Sequence, residues 1–190
     1  MTFVAPQHLT LDDFLGLPDL EQSPTWEYVA GEAIQKPMPK VRHSLLQKRL
    51  LTKLDSAGEN YLALPELRCT FGDRSVVPDI VVVSLDQFDL NDLGEPEDNF
   101  TQAPDWAIEV LSPDQNANRV IDNLLYCLRH GGQLGWLIDP DDYSVLVLTP
   151  GQELEIYRGT QQIPVLGGVT LQLTAEEIFG WLKLKHISSG

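Results

Sequence analysis

The stretch from Trp106 to Ile138 limits the fold more than any other part of the chain. Trp106-Ala107-Ile108-Glu109-Val110-Leu111 and Leu134-Gly135-Trp136-Leu137-Ile138 are apolar at consecutive positions, not alternate ones, which suits strands covered on both faces. Between them Val120, Ile121, Leu124, Leu125 and Leu128 recur at helical spacing. Ser112-Pro113 breaks the first strand and can open the helix, and Gly131-Gly132 caps it. Strand, helix and strand in this order make a right-handed parallel crossover. A second consecutive apolar run, Ile80-Val81-Val82-Val83 within a strand from Val76 to Ser84, calls for a buried place too.

The flanking segments fit around such a sheet. Thr10-Leu11-Asp12-Asp13 reads as a capped helix start, ending near Gly16 to Pro18. Trp26 to Val29 and Glu32 to Ile34 read as two strands turning at Ala30-Gly31. Val41, Leu45, Leu46, Leu50 and Leu54 form one face of a helix stopped by Ala57-Gly58, with basic residues opposite. Tyr61 to Thr70 is a strand, and Gln87 to Pro104 a long polar loop, able to overhang a site as a lid or partner surface. Tyr143 to Leu148 and Leu154 to Tyr157 form a hairpin, and Val169 to Leu173 a short strand. Thr174-Ala175-Glu176-Glu177 is a capping box opening a last helix to about Lys183. The class is α/β with a mixed sheet flanked by helices. A chain of 190 residues suggests one domain spanning 1–190, with its core at about 9–173 and the final helix at about 174–184.

Charge and composition narrow the function. No apolar run approaches the ~18 residues a membrane span needs, and Met1 to Pro6 lacks the marks of a secretory signal. Cys69 and Cys127 are too sparse for a disulfide framework, so a reducing, cytoplasmic setting is expected. The net charge of −15 excludes a protein that coats nucleic acid by bulk charge. It does not exclude an enzyme with a metal ion or a local basic patch. Six of the 13 Lys and Arg residues fall in one stretch: Lys36, Lys40, Arg42, Lys48, Arg49 and Lys53.

Two acids stand out because they sit in strands that should be buried: Asp79, after Pro78, and Glu109, between Ile108 and Val110. Charged carboxylates are rarely buried unless paired or bound to metal. On neighbouring strands the two could lie about 4 Å apart, with a repulsion of about 4 kcal/mol at an effective dielectric near 20. A divalent cation would offset it, and oxygen ligands suit Mg²⁺ or Mn²⁺. Pairing with Arg, Lys or backbone N–H groups would serve as well.

Pro78-Asp79, then Glu109-Val110-Leu111 about 30 residues on, then a helix, resembles the PD-(D/E)XK nuclease superfamily. Tyr28-Val29-Ala30-Gly31-Glu32, His43, Val77-Pro78-Asp79-Ile80, Glu109-Val110-Leu111-Ser112-Pro113 and Gly135-Trp136-Leu137-Ile138-Asp139-Pro140 follow in the order of its Uma-type branch, abundant in cyanobacteria. The resemblance implies a restriction-endonuclease-like core. It implies that Asp79 and Glu109, helped by the Val110 carbonyl, hold Mg²⁺ or Mn²⁺, with Glu32 as an additional acid. The implied reaction is endonucleolytic hydrolysis of phosphodiester bonds in nucleic acid, DNA foremost, and a homodimer is expected of a double-strand cutter.

One departure matters. The superfamily has a Lys two residues after the Glu, where this chain has Leu111. The branch resembled carries it on the following helix, where this chain has Asn123. Arg119, one helical turn earlier, is the remaining candidate for stabilising charge. Other residues take plainer readings: His43 as a satisfied surface or edge residue rather than a contact to substrate phosphate or a cap on the site, Lys48, Arg49 and Lys53 as a solvated helix face rather than a phosphate-contacting stripe, Cys127 and Trp136 as core. Two functions follow. One is a metal-dependent nuclease. The other is a weak or inactive nuclease fold that works by binding a partner.

Overall fold

A computed structural model describes residues 9–184 apart from 57, 114 and 152. Met1 to Pro6 and the helix stop at Ala57 lie outside the described residues.

Six strands form the larger sheet in the order β10-β9-β8-β7-β6-β3. They are β3 (Tyr61–Pro65), β6 (Ile80–Ser84), β7 (Trp106–Val110), β8 (Leu134–Asp139), β9 (Ser144–Thr149) and β10 (Glu153–Arg158). Only β7 and β8 run parallel among these neighbours, joined through α3 (Ala117–Arg129) as the apolar pattern requires. A smaller antiparallel sheet has the order β2-β1-β5-β4, from β1 (Trp26–Val29), β2 (Glu32–Gln35), β4 (Cys69–Phe71) and β5 (Arg74–Val76). Three further helices are α1 (Leu11–Leu15), α2 (Val41–Leu54) and α4 (Ala175–Gly180).

The consecutive apolar strands are covered on both faces. Ile80, Val82, Trp106, Ile108 and Ile138 pack with Leu46, Leu50 and Leu54 of α2 and with Ile178 and Phe179 of α4. Val81, Val83, Ala107 and Leu137 point the other way, onto Leu124 and Cys127 of α3 and onto Val29, Phe71 and Val76 of the smaller sheet. Period-2 alternation therefore assigns each strand residue to one of two cores.

Several expectations change in detail. The strands expected at Tyr61 to Thr70 and Val76 to Ser84 each split, because the chain passes between sheets there. Glu66 takes a positive φ of 50°, and Pro78 offers no N–H to a ladder. The two crossings meet where the Glu66 N–H donates to the Asp79 carbonyl at 3.2 Å. α3 begins at Ala117, capped by the Asn116 side chain, later than Ser112-Pro113 suggested. Val169 to Leu173 is irregular, though the Ile163 N–H reaches the Leu173 carbonyl at 2.9 Å. The loop after β6 is held to β4 by Phe100, whose carbonyl accepts from the Thr70 N–H at 3.0 Å. Among the described residues no helix is long and apolar enough to cross a membrane.

Candidate active site

Strand register sets the two acids side by side. β6 and β7 pair antiparallel with Ile80 opposite Ile108, so Asp79 and Glu109 occupy the next step beyond the ladder. Glu109 shares a strand face with Ala107, the face turned toward α3 and the smaller sheet. Both acids are about 4% exposed.

The cation between them is Lys36, at the end of β2. Its ammonium donates to Asp79 Oδ1 at 2.9 Å, Glu109 Oε2 at 3.1 Å and the Val77 carbonyl at 2.7 Å. Backbone pairing fixes its base, with the Lys36 N–H donating to the Thr25 carbonyl at 2.8 Å. A second carboxylate face is filled from α2. His43, in its first turn, shares a hydrogen bond of 2.8 Å between Nε2 and Asp79 Oδ2, and the Val110 N–H donates to that same oxygen at 2.8 Å. Gln47, one turn on, donates to the Asp79 carbonyl at 2.8 Å. His43 is 7% exposed, not the surface residue expected, and its Nδ1 is buried without a partner.

A third buried acid is Glu27 of β1. Trp26 and Tyr28 turn toward Phe14 and Leu9 of the N-terminal segment, so alternation turns Glu27 inward. Its Oε1 accepts from the Val77 N–H at 2.8 Å and its Oε2 from the Asn123 amide at 3.3 Å. Asn123 thus faces the acids from α3, at the position where the resembled branch has its Lys.

Burial and charge pull these groups apart. Burial works against the charge on Asp79, but Lys36, His43 and the Val110 N–H outweigh it and hold its carboxyl far below the usual range. Burial dominates at Glu109 and raises its pKa well above the usual value, Lys36 only partly opposing it. Burial likewise raises Glu27. Lys36 is disfavoured by burial, yet Asp79, Glu109 and Glu27 hold it firmly protonated.

Glu32 and Arg119 do not join this cluster. Glu32 is exposed at the hairpin turn, opposite Val29. A strand rises about 3.3 Å per residue, so four residues put it roughly 13 Å from Lys36. Arg119 is exposed in the first turn of α3, while Asn123, four residues on, is buried. Glu27 holds the place expected for Glu32, and Lys36 the charge expected of Arg119. Glu27 carried a legible signal, an acid between Trp26 and Tyr28 like Glu109 between Ile108 and Val110. Lys36 carried none beyond membership of the basic stretch.

Beside Lys36, His43 and Asp79 lies a cavity of about 30 Å³, also lined by Thr25, Ser112 and Gln115. That is room for about one water. No residue of the 87–104 loop lines it. Among the described residues no group of three or more His, Cys, Asp and Glu forms a ready-made metal cage. The donors around the Lys36 ammonium are nevertheless two carboxylate oxygens and a carbonyl oxygen, a hard set that suits Mg²⁺ or Mn²⁺ and already holds a cation. The donor chemistry fits the metal the resemblance implies.

Residues 11–176 match the Uma2 family, described as "Putative restriction endonuclease". A crystal structure of a "putative nuclease" from Anabaena variabilis superposes with a TM-score of 0.88 at 44% sequence identity, covering 92% of this chain and 99% of that one. A search of the curated proteins finds no match.

Proposed function

Since the chain belongs to the Uma2 family of restriction-endonuclease-like proteins, we propose that it is a metal-dependent nuclease hydrolysing phosphodiester bonds in nucleic acid. The observation that carries this reading is the pair Asp79 and Glu109, buried side by side at the edge of a strand ladder and converging on one cation. Structure built for stability alone rarely places two carboxylates so, because each buried charge costs several kcal/mol of desolvation.

Asp79 and Glu109, with the Val110 carbonyl, would hold Mg²⁺ or Mn²⁺, which supplies a bound water of lowered pKa and charge compensation at the phosphoryl oxygens. The remaining work falls to this chain's own side chains. The Val110 N–H and His43 fix Asp79 Oδ2, leaving Oδ1 directed into the cluster. Lys36 supplies the positive charge that Leu111 and Asn123 lack. Its ammonium now reaches both acids, and three donors on a flexible stem let it turn from them to a scissile phosphate when the metal takes its place. Ser112 and Gln115 line the small cavity and bound the space for water.

The second reading, an inert nuclease fold that binds a partner, is favoured by the same ammonium: the carboxylates are already neutralised without a metal. Titration of wild type and Asp79→Ala with Mn²⁺ by calorimetry separates the two. The nuclease reading expects binding in the wild type that disappears in the variant, and metal-dependent cleavage of DNA or RNA. Absence of specific Mn²⁺ binding and of cleavage would transfer the protein to the second class.

A further inference from the structure

α2 differs from the rest of this acidic chain. Its 14 residues, Val41–Leu54, carry Arg42, Lys48, Arg49 and Lys53 and no acid, within a chain of net charge −15. Arg42, Arg49 and Lys53 are spaced i, i+7 and i+11, which puts them along one face, and all three are exposed. The buried row Leu46, Leu50 and Leu54 lies beside this face, about a quarter-turn round the helix. The basic residues are therefore held in a line by the packing of the helix.

That line ends at the acids. The first turn of α2 has no side-chain cap and no acidic residue, so its backbone N–H groups and the positive end of its dipole face outward. A groove of about 300 Å³ opens there, lined by Lys40, Arg42 and His43 of the helix start and by Pro113, Pro140 and the acid Asp141. His43 lines both this groove and the small cavity over Asp79. It is nine-tenths buried, and its Nδ1 has no partner. Arg42 spans the far wall, bonded to Asp141 at 2.7 Å and to the Pro140 carbonyl.

We infer that the N-terminal groove and basic face of α2 form the track for a nucleic-acid phosphate backbone. One phosphate sits at the helix N-terminus beside His43, and its neighbours run along Arg42, Arg49 and Lys53. This rests on the nuclease reading of the neighbouring acids, and it names how a chain of such negative charge holds a polyanion. The Arg42–Asp141 pair is exposed on both sides and exchanges its carboxylate for a phosphate oxygen. Contacts of this kind set register and carry no base sequence.

The test is equilibrium binding of a fluorescein-labelled duplex DNA, and of single-stranded DNA and RNA of the same sequence, in EDTA, so that neither metal nor cleavage takes part. Val41 is 80% exposed at the first helical position, so Val41→Glu keeps the fold and gains from the helix dipole while setting a carboxylate in the groove. The expected result is unchanged or higher thermal stability with affinity lowered tenfold or more. Arg42→Gln, Arg49→Gln and Lys53→Gln should each reduce the slope of log affinity against log salt by about 1. The three probes show whether duplex or single strand fits the track. Wild-type affinity and salt slope in these variants, or no binding by the wild type, would overturn the inference. Lost Mn²⁺ binding and cleavage with DNA binding intact would instead remove the metal reading and leave this surface standing.

Discussion

Replacing Lys36 with methionine tests the charge logic of the cluster most directly. The ammonium lies 2.9 Å from Asp79 and 3.1 Å from Glu109, with the three side chains at most 13% exposed. At an effective dielectric near 20, the contact with Asp79 is worth about 6 kcal/mol of attraction before desolvation, and the contact with Glu109 adds less, because burial disfavours the charge on that acid. Against that stand several kcal/mol of desolvation for each ion. Methionine fills similar volume and removes the charge together with its donors to Asp79, Glu109 and the Val77 carbonyl. Breaking a buried pair by deleting one partner costs about 3–5 kcal/mol, because the other charge is left uncompensated. At about 2–4 °C per kcal/mol for a chain of this size, the melting temperature should fall by roughly 6–20 °C. Urea unfolding followed by circular dichroism reads the free energy, and a thermal melt checks it. Mn²⁺ should then raise the melting temperature of Lys36→Met more than that of the wild type, since the same oxygens lose a competing cation. A loss below about 1 kcal/mol, or an equal response to Mn²⁺ in both proteins, would refute the account of Lys36 as the charge that holds the cluster together.

Other changes give outcomes of different kinds. Glu109→Gln should cost little stability, because burial already favours the protonated acid, yet it should abolish metal-dependent cleavage; urea midpoints and a cleavage assay check the two halves. Asp79 behaves oppositely. Its folded pKa is depressed, so its stabilisation is full above about pH 4 and is lost as pH falls toward the folded value. The stability gap between wild type and Asp79→Asn should accordingly narrow between pH 6 and pH 3, which denaturation at both values measures. Asn123→Lys alone should cost stability: the new ammonium meets Glu27 Oε2, now 3.3 Å from the amide, but it replaces the oxygen that accepts from Arg74 at 3.2 Å. Combined with Lys36→Met it should recover part of the lost stability, as read by thermal melts.

Much of the fold was legible because burial on two faces leaves a mark in sequence. β6, β7 and β8 are consecutive apolar runs, and a strand buried between α2 on one side and α3 on the other has no solvent face to alternate with. The sheet exchanges were less legible. Tyr61 to Thr70 reads as one strand, although Pro65 marks where β3 ends; the passage of Leu64 and Cys69 into different sheets depends on a positive φ at Glu66, a residue with no special turn chemistry. At Val77-Pro78-Asp79 the proline was visible, but a proline also suits a strand's first residue, so the change of sheet stayed hidden.

Asp79 and Glu109 were legible on a similar ground: an acid in an apolar strand is an anomaly that position alone reveals. The same test applied to β1 picks out Glu27, between residues that pack on the N-terminal helix, and passes over Glu32, whose neighbours are a turn. The cation escapes any such test. A buried carboxylate cluster demands a positive charge nearby but does not say which element brings it. Positions 111 and 123 are two routes into the cluster, along β7 and from α3. The end of β2 is a third, since the smaller sheet delivers Lys36 between the same acids with its backbone held at Thr25. Reading Leu111 and Asn123 as the loss of a charge therefore confuses the address with the function. The cluster closes on Lys36, and Asn123, relieved of carrying charge, is left to neutral hydrogen bonding with Glu27, whose raised pKa suits such a partner.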